Sequence, residues 1–474
     1  AVSSQEVSIP KTFTGCKVYI MSLRSLVKKV IPIGLFKKIE PYGHFAEAVL
    51  LNLIHGFPGR KLKVIGVTGT NGKTTTAFLI HRMMRESGYK VGLMTTVAYG
   101  ANDDIKPQIE HMTTVSTPKL LKRIRQLKAA GIEWLVLETT SHALAQHRVW
   151  GIPYSVAVMT NITHEHLDYH GTFEKYRDAK LKMFTMAAKN RKGLKTGVIN
   201  ADDPSAGLFQ KAVPNALTYG IKNGQLRAAG IKLESSGSTF TVYSENNEAL
   251  KLNIRTRLPG SFNVQNALAA VGTGLALGME PKAIEHGIEA LESVEGRMAV
   301  VDAGQPFDVI VDYAHTPDSF EKLFSDMRPL VRGRLIAVFG SAGRRDEAKR
   351  AVQGKIAGKY ADLVILTEED DRDIDGLEIL KQIAEGAKSS GKKEGKDLFL
   401  VHKREEAIEE AINMAKGGDV VMLLGKGHEK SILGPGPKAA ELRHLPQNDH
   451  DPKRVIERPY NEVEVAKKAI KTIT

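Results

Sequence analysis

Residues 64–76 read Val-Ile-Gly-Val-Thr-Gly-Thr-Asn-Gly-Lys-Thr-Thr-Thr. An apolar strand runs into the turn Gly69–Gly72, and a helix opens at Lys73 and continues to about Ser87. That order aims the backbone N–H groups of a helix N-terminus at an anion, with glycines allowing close approach. Lys73 is placed to reach the β- and γ-phosphates of a nucleotide, and the Thr74 hydroxyl to ligate Mg²⁺. The pattern G-x-x-x-x-G-K-[ST] is not met in full, because Val67 stands five before Gly72 and the first glycine falls at 69. A strand that passes directly into a helix also commits the chain to crossover connections and a parallel sheet.

The rest of the chain follows suit. Val91–Thr95, Trp134–Glu138, Val156–Thr160 and Gly197–Asn200 read as strands with helical patterns between most of them. Residues 226–260, with Gly230, Gly237 and the alternating run Thr239–Tyr243, read as a small antiparallel insert, and a long helix follows at about Val264–Leu277. Near Ser293–Arg297 the pattern restarts, with strands at Val309–Asp312, Leu335–Phe339, Leu363–Leu366, Leu398–Val401 and Val420–Leu424. The expected division is therefore 1–60, a short basic N-terminal segment; 61–295, a nucleotide-binding domain; and 296–474, a second α/β domain.

Residues 1–60 hold eight Lys/Arg against three acids. Leu23, Leu26, Val27, Val30 and Ile31 recur at helical spacing with Lys28 and Lys29 off the stripe. Pro32 and Pro41 are expected to break the chain before a second helical stretch with Ala46, Val49, Leu50, Leu53 and Ile54. Two readings stand side by side. A basic amphipathic helix lies on an anionic membrane surface, or a helical pair packs on the body of the protein, and the second stretch has the look of core.

Composition excludes several classes. The net charge of +13 fits an anionic partner without choosing one. One cysteine, Cys16, leaves no disulfide framework and no multi-cysteine metal site, and suits a reducing, cytoplasmic compartment. No apolar run reaches the roughly 18 residues of a membrane span. Aromatics are 6% and no nucleic-acid recognition motif occurs, so no nucleic-acid partner is expected.

Further blocks accompany the phosphate loop. Leu137-Glu-Thr-Thr-Ser-His-Ala-Leu-Ala-Gln-His-Arg-Val149 places Glu138 at a strand tip, where ligand sites of parallel sheets gather. Thr160-Asn-Ile-Thr-His-Glu-His-Leu-Asp-Tyr-His-Gly171 holds three histidines, but without cysteine His164, His166 and His170 lack a structural zinc set. Tyr176-Arg-Asp-Ala-Lys-Leu-Lys-Met-Phe184, Leu258-Pro-Gly-Ser-Phe-Asn-Val-Gln-Asn-Ala-Leu-Ala-Ala270, Gly296-Arg-Met298 and Val311-Asp-Tyr-Ala-His-Thr-Pro317 follow in order. Together with Gly69-Thr-Asn-Gly-Lys-Thr-Thr75, these blocks resemble the Mur ligase superfamily, whose members make amide bonds through an acyl-phosphate.

The resemblance implies an α/β fold: a central P-loop, parallel-sheet ATPase domain plus a C-terminal Rossmann-like α/β domain, behind a short helical N-terminal segment. It implies ATP bound by Gly69, Thr70, Asn71, Gly72, Lys73, Thr74 and Thr75, with Asn266 near the adenine and Arg297, Asp312 and His315 completing the site. Mg²⁺ falls to Thr74, Glu138 and His166, and Lys180 is the lysine that the family carbamylates to N6-carboxylysine. Lys73, Glu138, His166 and Lys180 are thus the implied catalytic set. Glu165 departs from the family's usual Asp.

Gln146 with Arg148, Thr113 with Thr114, the run Asp168–Gly171 and Gly425-Lys-Gly-His-Glu429 resemble the MurE-type branch, which adds the third residue of the peptidoglycan stem peptide. That branch implies a UDP-MurNAc-dipeptide bound by Thr113, Thr114, Thr140, Gln146 and Arg148, and an amino acid bound by Arg350, Arg372, Gly425 and Glu429. Enzymes adding meso-diaminopimelate carry D-N-P-R; here Glu369-Asp-Asp-Arg372 keeps the Arg while its acids suit a cationic amine, so L-lysine stays open. The branch also carries a longer uridine-binding domain ahead of its ATP loop, so a differently held UDP or a different acceptor is open too. Rivals are a pseudomurein-like or polyglutamate-type ligase and a P-loop ATPase that does not ligate. A monomer is the default expectation, with residues 1–60 offering peripheral membrane contact.

Overall fold

The computed structural model describes residues 33–108, 112–234, 237–444 and 451–473. A first sheet is built from β1 (Lys63–Thr68), β2 (Val91–Met94), β3 (Ala98–Ala101), β4 (Asp104–Pro107), β5 (Trp134–Glu138), β6 (Tyr154–Met159), β7 (Thr196–Asn200), β8 (Asn215–Gly220), β9 (Leu226–Glu234), β10 (Gly237–Ser244) and β11 (Asn247–Thr256). Their spatial order is β11-β10-β9-β8-β7-β6-β1-β5-β2-β3-β4. The block from β9 to β2 is parallel and both edges are antiparallel. β2, β5 and β6 are buried at every residue, which is why they read as continuous apolar runs and not as alternating ones.

Residues 226–256 form the expected small antiparallel unit, and it is joined to the large sheet. β9, β10 and β11 are antiparallel to one another, as expected, but Tyr219↔Leu226 and Gly220↔Arg227 pair β8 with β9 and continue the large sheet. One face of these strands packs on the helices Ser261–Ala276 and Pro281–Glu289, and that burial favours extension over detachment.

The second sheet comprises β12 (Ala299–Val300), β13 (Asp308–Asp312), β14 (Leu335–Phe339), β15 (Leu363–Leu366), β16 (Leu398–Leu400) and β17 (Val420–Leu424), in the order β12-β13-β17-β14-β15-β16. All its neighbours are parallel except β12 with β13. Apolar clusters cover both faces, one centred on Phe320, Phe324 and Phe339, the other on Ile408, Ile412 and Ile470. A hairpin of β18 (Ser431–Pro435) and β19 (Val455–Pro459) closes over the loop after β15, where Arg372 N–H donates to Leu433 O.

The helix Ile33–Ile54 runs straight through Pro41, where a break was expected. An internal proline costs a helix about 3 kcal/mol, and the second half is held from outside, where Asn52 Nδ2 donates to Trp150 O (3.1 Å). The buried face is also not the expected one. Ala48 and Asn52 are buried, whereas Leu50, Leu53 and Ile54 are exposed. Apolar residues occur on several faces of this helix, so periodicity alone selected the wrong side. The amphipathic stretch at Leu23–Ile31 lies outside the described residues. Among the described residues, no helix is long and apolar enough to cross a membrane.

Candidate active site

The phosphate loop sits at the tip of β1, near the middle of the first sheet. Gly69 passes close to the strand-tip residue Thr160, and a Cβ there would stand 1.8 Å from Thr160 Oγ1. Gly72 has φ +79°, and a Cβ would stand 2.2 Å from Asn266 Oδ1. Both positions therefore require glycine. The helix Lys73–Glu86 begins immediately afterwards. Lys73 Nζ donates to Thr70 O (2.7 Å) and Asn71 N–H to Asn161 Oδ1 (2.9 Å), so neighbouring groups pin the loop from both sides.

β5 lies between β1 and β2, which brings Glu138 to the same edge. Its carboxylate is buried and accepts from Thr74 Oγ1 (3.0 Å), Thr96 N–H (3.0 Å) and Thr96 Oγ1 (3.1 Å). Thr96 was missed by sequence reasoning. Its one available signal was a hydroxyl just past a parallel strand's C-terminal end. The Thr113 hydroxyl accepts from Thr96 Oγ1 (2.9 Å), and Thr114 Oγ1 donates to Glu138 O (3.1 Å). Thr140 caps the short helix Ser141–Ala145 through Ala143 N–H, and Gln146 closes its C-terminus. Arg148 is buried with its guanidinium on Thr114 O, and burial lowers its pKa to about 10.

Lys180 comes from the helix Phe173–Lys189, is 2% exposed, and donates to Gly69 O (2.5 Å). Burial first, and the positive charge of Lys73 second, hold its pKa well below the usual lysine value. Burial would raise the pKa of Glu165, but Lys73, His166, His315 and Lys180 together outweigh it and the carboxyl is lowered. His166 lies 3.7 Å from Glu165 Oε2 and is 45% exposed at the mouth of the site. His170 pairs with Ser141 Oγ (3.1 Å) and His164 stacks on Phe173 (4.8 Å). His166 and His170 both pack against the rings of His142 and Tyr176, whereas His164 rests on Phe173.

A second wall faces this edge across an open cleft, lined among others by Gly72, Thr75, Asn266, Arg297, Asp312 and His315. Asn266 Nδ2 is held by Asn263 Oδ1 (2.9 Å). Arg297 lies over the Tyr313 ring and reaches Thr74 Oγ1 at 3.5 Å. Asp312, at the tip of β13, accepts from Met298 N–H (2.8 Å) and Ala314 N–H (2.7 Å), while burial raises its pKa. Burial, then Lys349, lowers His315 to about 4, so its imidazole is neutral at pH 7. Asp318, also missed in the sequence, accepts from Asn71 Nδ2 (3.0 Å) and ties the two walls together.

On the far side of Tyr313 lies a cluster of acidic side chains around Lys426. Glu429 Oε1 accepts from Tyr313 OH (3.2 Å) and Oε2 from Lys426 Nζ (2.6 Å), and Lys426 also donates to Asp370 Oδ1 (3.0 Å). Gly425 has φ +99°, and a Cβ there would meet Glu369 Oε2 at 2.7 Å. Glu369 is 8% exposed and has no hydrogen-bond or ion-pair partner among the described residues. The guanidinium of Arg372 (φ +56°) donates to Gly343 O (3.0 Å) and Asp370 O (3.4 Å) and lies 3.8 Å from Asp370 Oδ2. Arg350 is set apart from these groups. It is buried, donates to Gln382 Oε1 (2.7 Å) and Ala342 O (3.3 Å), and so braces the loop that holds Arg372.

Residues 67–274 match the model of the Mur ligase middle domain, and residues 296–427 that of the Mur ligase glutamate ligase domain. The chain belongs to the Mur ligase family. It is 42% identical over 420 residues to the UDP-N-acetylmuramyl-tripeptide synthetase of Roseiflexus sp., covering 85% of this chain and 82% of that one. It is 39% identical over 414 residues to UDP-N-acetylmuramoyl-L-alanyl-D-glutamate--2,6-diaminopimelate ligase 1 of Clostridium acetobutylicum, covering 86% and 82%. A solved UDP-N-acetylmuramoyl-L-alanyl-D-glutamate--2,6-diaminopimelate ligase superposes with TM-score 0.60 at 28% identity, covering 92% of this chain and 83% of that one. The members of this family are ATP-dependent acid–amino-acid ligases, and the α/β architecture, with both sheets largely parallel, is that of the family.

Proposed function

We propose that the chain joins meso-diaminopimelate or L-lysine to UDP-MurNAc-L-Ala-D-Glu at the expense of ATP, in peptidoglycan synthesis. The observation that carries this reading is the meeting, at one sheet edge, of the Lys73 loop, Glu138 and Lys180 with a second wall of Arg297, Asp312 and His315. Residues 61–295 serve as the ATP-binding domain and 296–474 as the domain that closes on it.

The γ-phosphoryl group of ATP, bound on Gly69–Thr75, passes to the acceptor's carboxylate oxygen, and ADP is released. The amino acid's amine then attacks the acyl-phosphate carbonyl carbon, and phosphate leaves as the amine gives up a proton. Lys73 and Arg297 offset the charge that builds on the phosphoryl oxygens, which is most of what phosphoryl transfer requires. Thr113, Thr114, Thr140, Gln146 and Arg148 hold the acceptor beside Glu138.

A divalent ion suits this edge. Glu138 is a buried carboxylate touched only by hydroxyl and amide donors, with no Lys, Arg or His within ion-pair distance among the described residues. Thr74, Glu138 and His166 are the residues that would hold Mg²⁺, which when bound supplies charge neutralisation for the transferring phosphoryl group. Lys180 suits carbamylation, because a lysine with a lowered pKa offers the neutral amine that reacts with CO₂.

Both candidate amino acids carry a distal ammonium, and the unpartnered carboxylate of Glu369 beside Gly425 and Glu429 suits one. Only diaminopimelate also carries a distal carboxylate that would compete with Gly343 O and Asp370 for Arg372. Phosphate release with ATP, Mg²⁺ and UDP-MurNAc-L-Ala-D-Glu, against a panel of meso-diaminopimelate, L-lysine and L-ornithine, tests the proposal. Release that depends on one of the first two is expected. Silence across the panel with ATP still bound would overturn the acceptor, and undiminished turnover in Lys73→Ala or Glu138→Ala would overturn the catalytic set.

A further inference from the structure

Two helices that take no part in the cleft lie against each other, Ile33–Ile54 and Thr117–Ala129. The first is seated on the protein through Ala48 and Asn52. On its other side Tyr42, Leu50, Leu53 and Ile54 are 75, 49, 60 and 51% exposed, and nothing among the described residues covers them. These positions span thirteen residues, about 18 Å of helix, and form one outward stripe with Ala46. Isolated exposed leucines are ordinary, whereas a continuous apolar stripe on one helix marks a contact surface.

The charge beside the stripe indicates what it contacts. The helix Thr117–Ala129 reads Thr-Pro-Lys-Leu-Leu-Lys-Arg-Ile-Arg-Gln-Leu-Lys-Ala, with five basic residues and no acid. Lys122, Arg125 and Lys128 are exposed, and the Arg125 guanidinium meets His55 Nδ1 at 3.2 Å, at the foot of the first helix. An apolar stripe flanked by cations is the pattern of an interfacial helix that inserts at the headgroup level of an anionic bilayer. A two-fold pairing of copies through this face would instead bring two basic helices together.

We propose that this face docks the protein on an anionic lipid bilayer, with Leu50, Leu53 and Ile54 entering the interface and Lys122 and Lys128 meeting headgroups. The acceptor-binding segment then lies close to the membrane, because Phe45 on the same helix contacts His147 (ring centroids 5.2 Å apart), between Gln146 and Arg148. Co-sedimentation of the full chain with phosphatidylcholine vesicles, with and without phosphatidylglycerol, tests the docking. Binding is expected only with phosphatidylglycerol and is reversed by added salt. Leu53→Glu, and separately the double substitution Lys122→Glu/Lys128→Glu, each lower the partition constant about tenfold or more, while amino-acid-dependent phosphate release in solution and the circular dichroism spectrum stay unchanged. Failure to sediment with anionic vesicles, or equal binding to neutral ones, would overturn the proposal. So would a two-chain mass by light scattering that Leu53→Glu halves, since that assigns the face to a second copy.

Discussion

Replacing Arg404 with Met breaks a fully buried charge pair that joins two helices beside the second sheet. Arg404 and Glu462 are both 0% exposed. Arg404 Nε donates to Glu462 Oε2 (2.9 Å), Nη1 to Glu368 O (3.1 Å) and Nη2 to Leu424 O (2.7 Å) as well as to the carboxylate. One side chain thus fixes the final helix, the tip of β17 and the loop after β15. Arg404→Met strands the Glu462 carboxylate in the interior, with the Tyr460 hydroxyl as its remaining donor, and orphans two carbonyls. Breaking a buried pair from one side costs about 3–5 kcal/mol. With a urea m-value of about 2 kcal/mol/M, the midpoint falls by about 2 M. Far-UV circular dichroism is the assay of choice, because both tryptophans, Trp134 and Trp150, lie with the first sheet and their emission misses an early loss of the second. Arg404→Met/Glu462→Met should recover most of the loss, since well-packed apolar replacements of buried pairs are often neutral. A single variant within about 1 kcal/mol of the parent, or a double variant worse than the single, would refute the reasoning.

Gly72→Ala meets both a left-handed φ and the Asn266 side chain, so calorimetric titration should show ADP affinity reduced at least about tenfold; unchanged affinity sinks the account of that turn. Burial would raise the pKa of Asp373, but its hydrogen bonds from Arg344 and Arg454 outweigh that and hold it at about 2. Its stabilising contribution is therefore complete above the unfolded value near 4 and vanishes as pH falls towards 2. Asp373→Asn should lower the urea midpoint at pH 7 but scarcely at pH 2, and a pH-independent difference would contradict this. Glu369→Gln should raise KM for the amino acid about tenfold with little change in kcat, by loss of a charge-assisted contact; an unaltered KM would remove Glu369 from that pocket.

The parts of the site that lie along one stretch of chain were legible in the amino-acid sequence. The turn Gly69–Gly72, the strand ending at Glu138 and the strand restart after residue 296 each follow from local pattern. Contacts made across the sheet were not. Thr96 is an unremarkable hydroxyl until the order β1-β5-β2 sets it against Glu138, and Asp318 looks like a first-turn helix acid until Asn71 is found 3.0 Å away. Arg350 and Arg372 illustrate a different limit. Sequence shows that a guanidinium is present, but only packing shows that one braces a loop and the other lies against Gly343 O and Asp370. The same holds for the strands 226–256, whose alternation was visible but whose junction with β8 is a matter of pairing.

The cleft proposed to hold the nucleotide is lined by Asn71, Gly72 and Asn266 on the side of the first sheet and by Arg297, Asp312 and His315 on the side of the second. A ligand filling it therefore works as a splint across a seam. Two co-expressed fragments, divided just ahead of Glu295, would each keep a complete sheet. Their reassembly should depend on nucleotide concentration, which makes the seam a ready-made reporter: fluorophores attached to either half would signal ATP occupancy without any turnover.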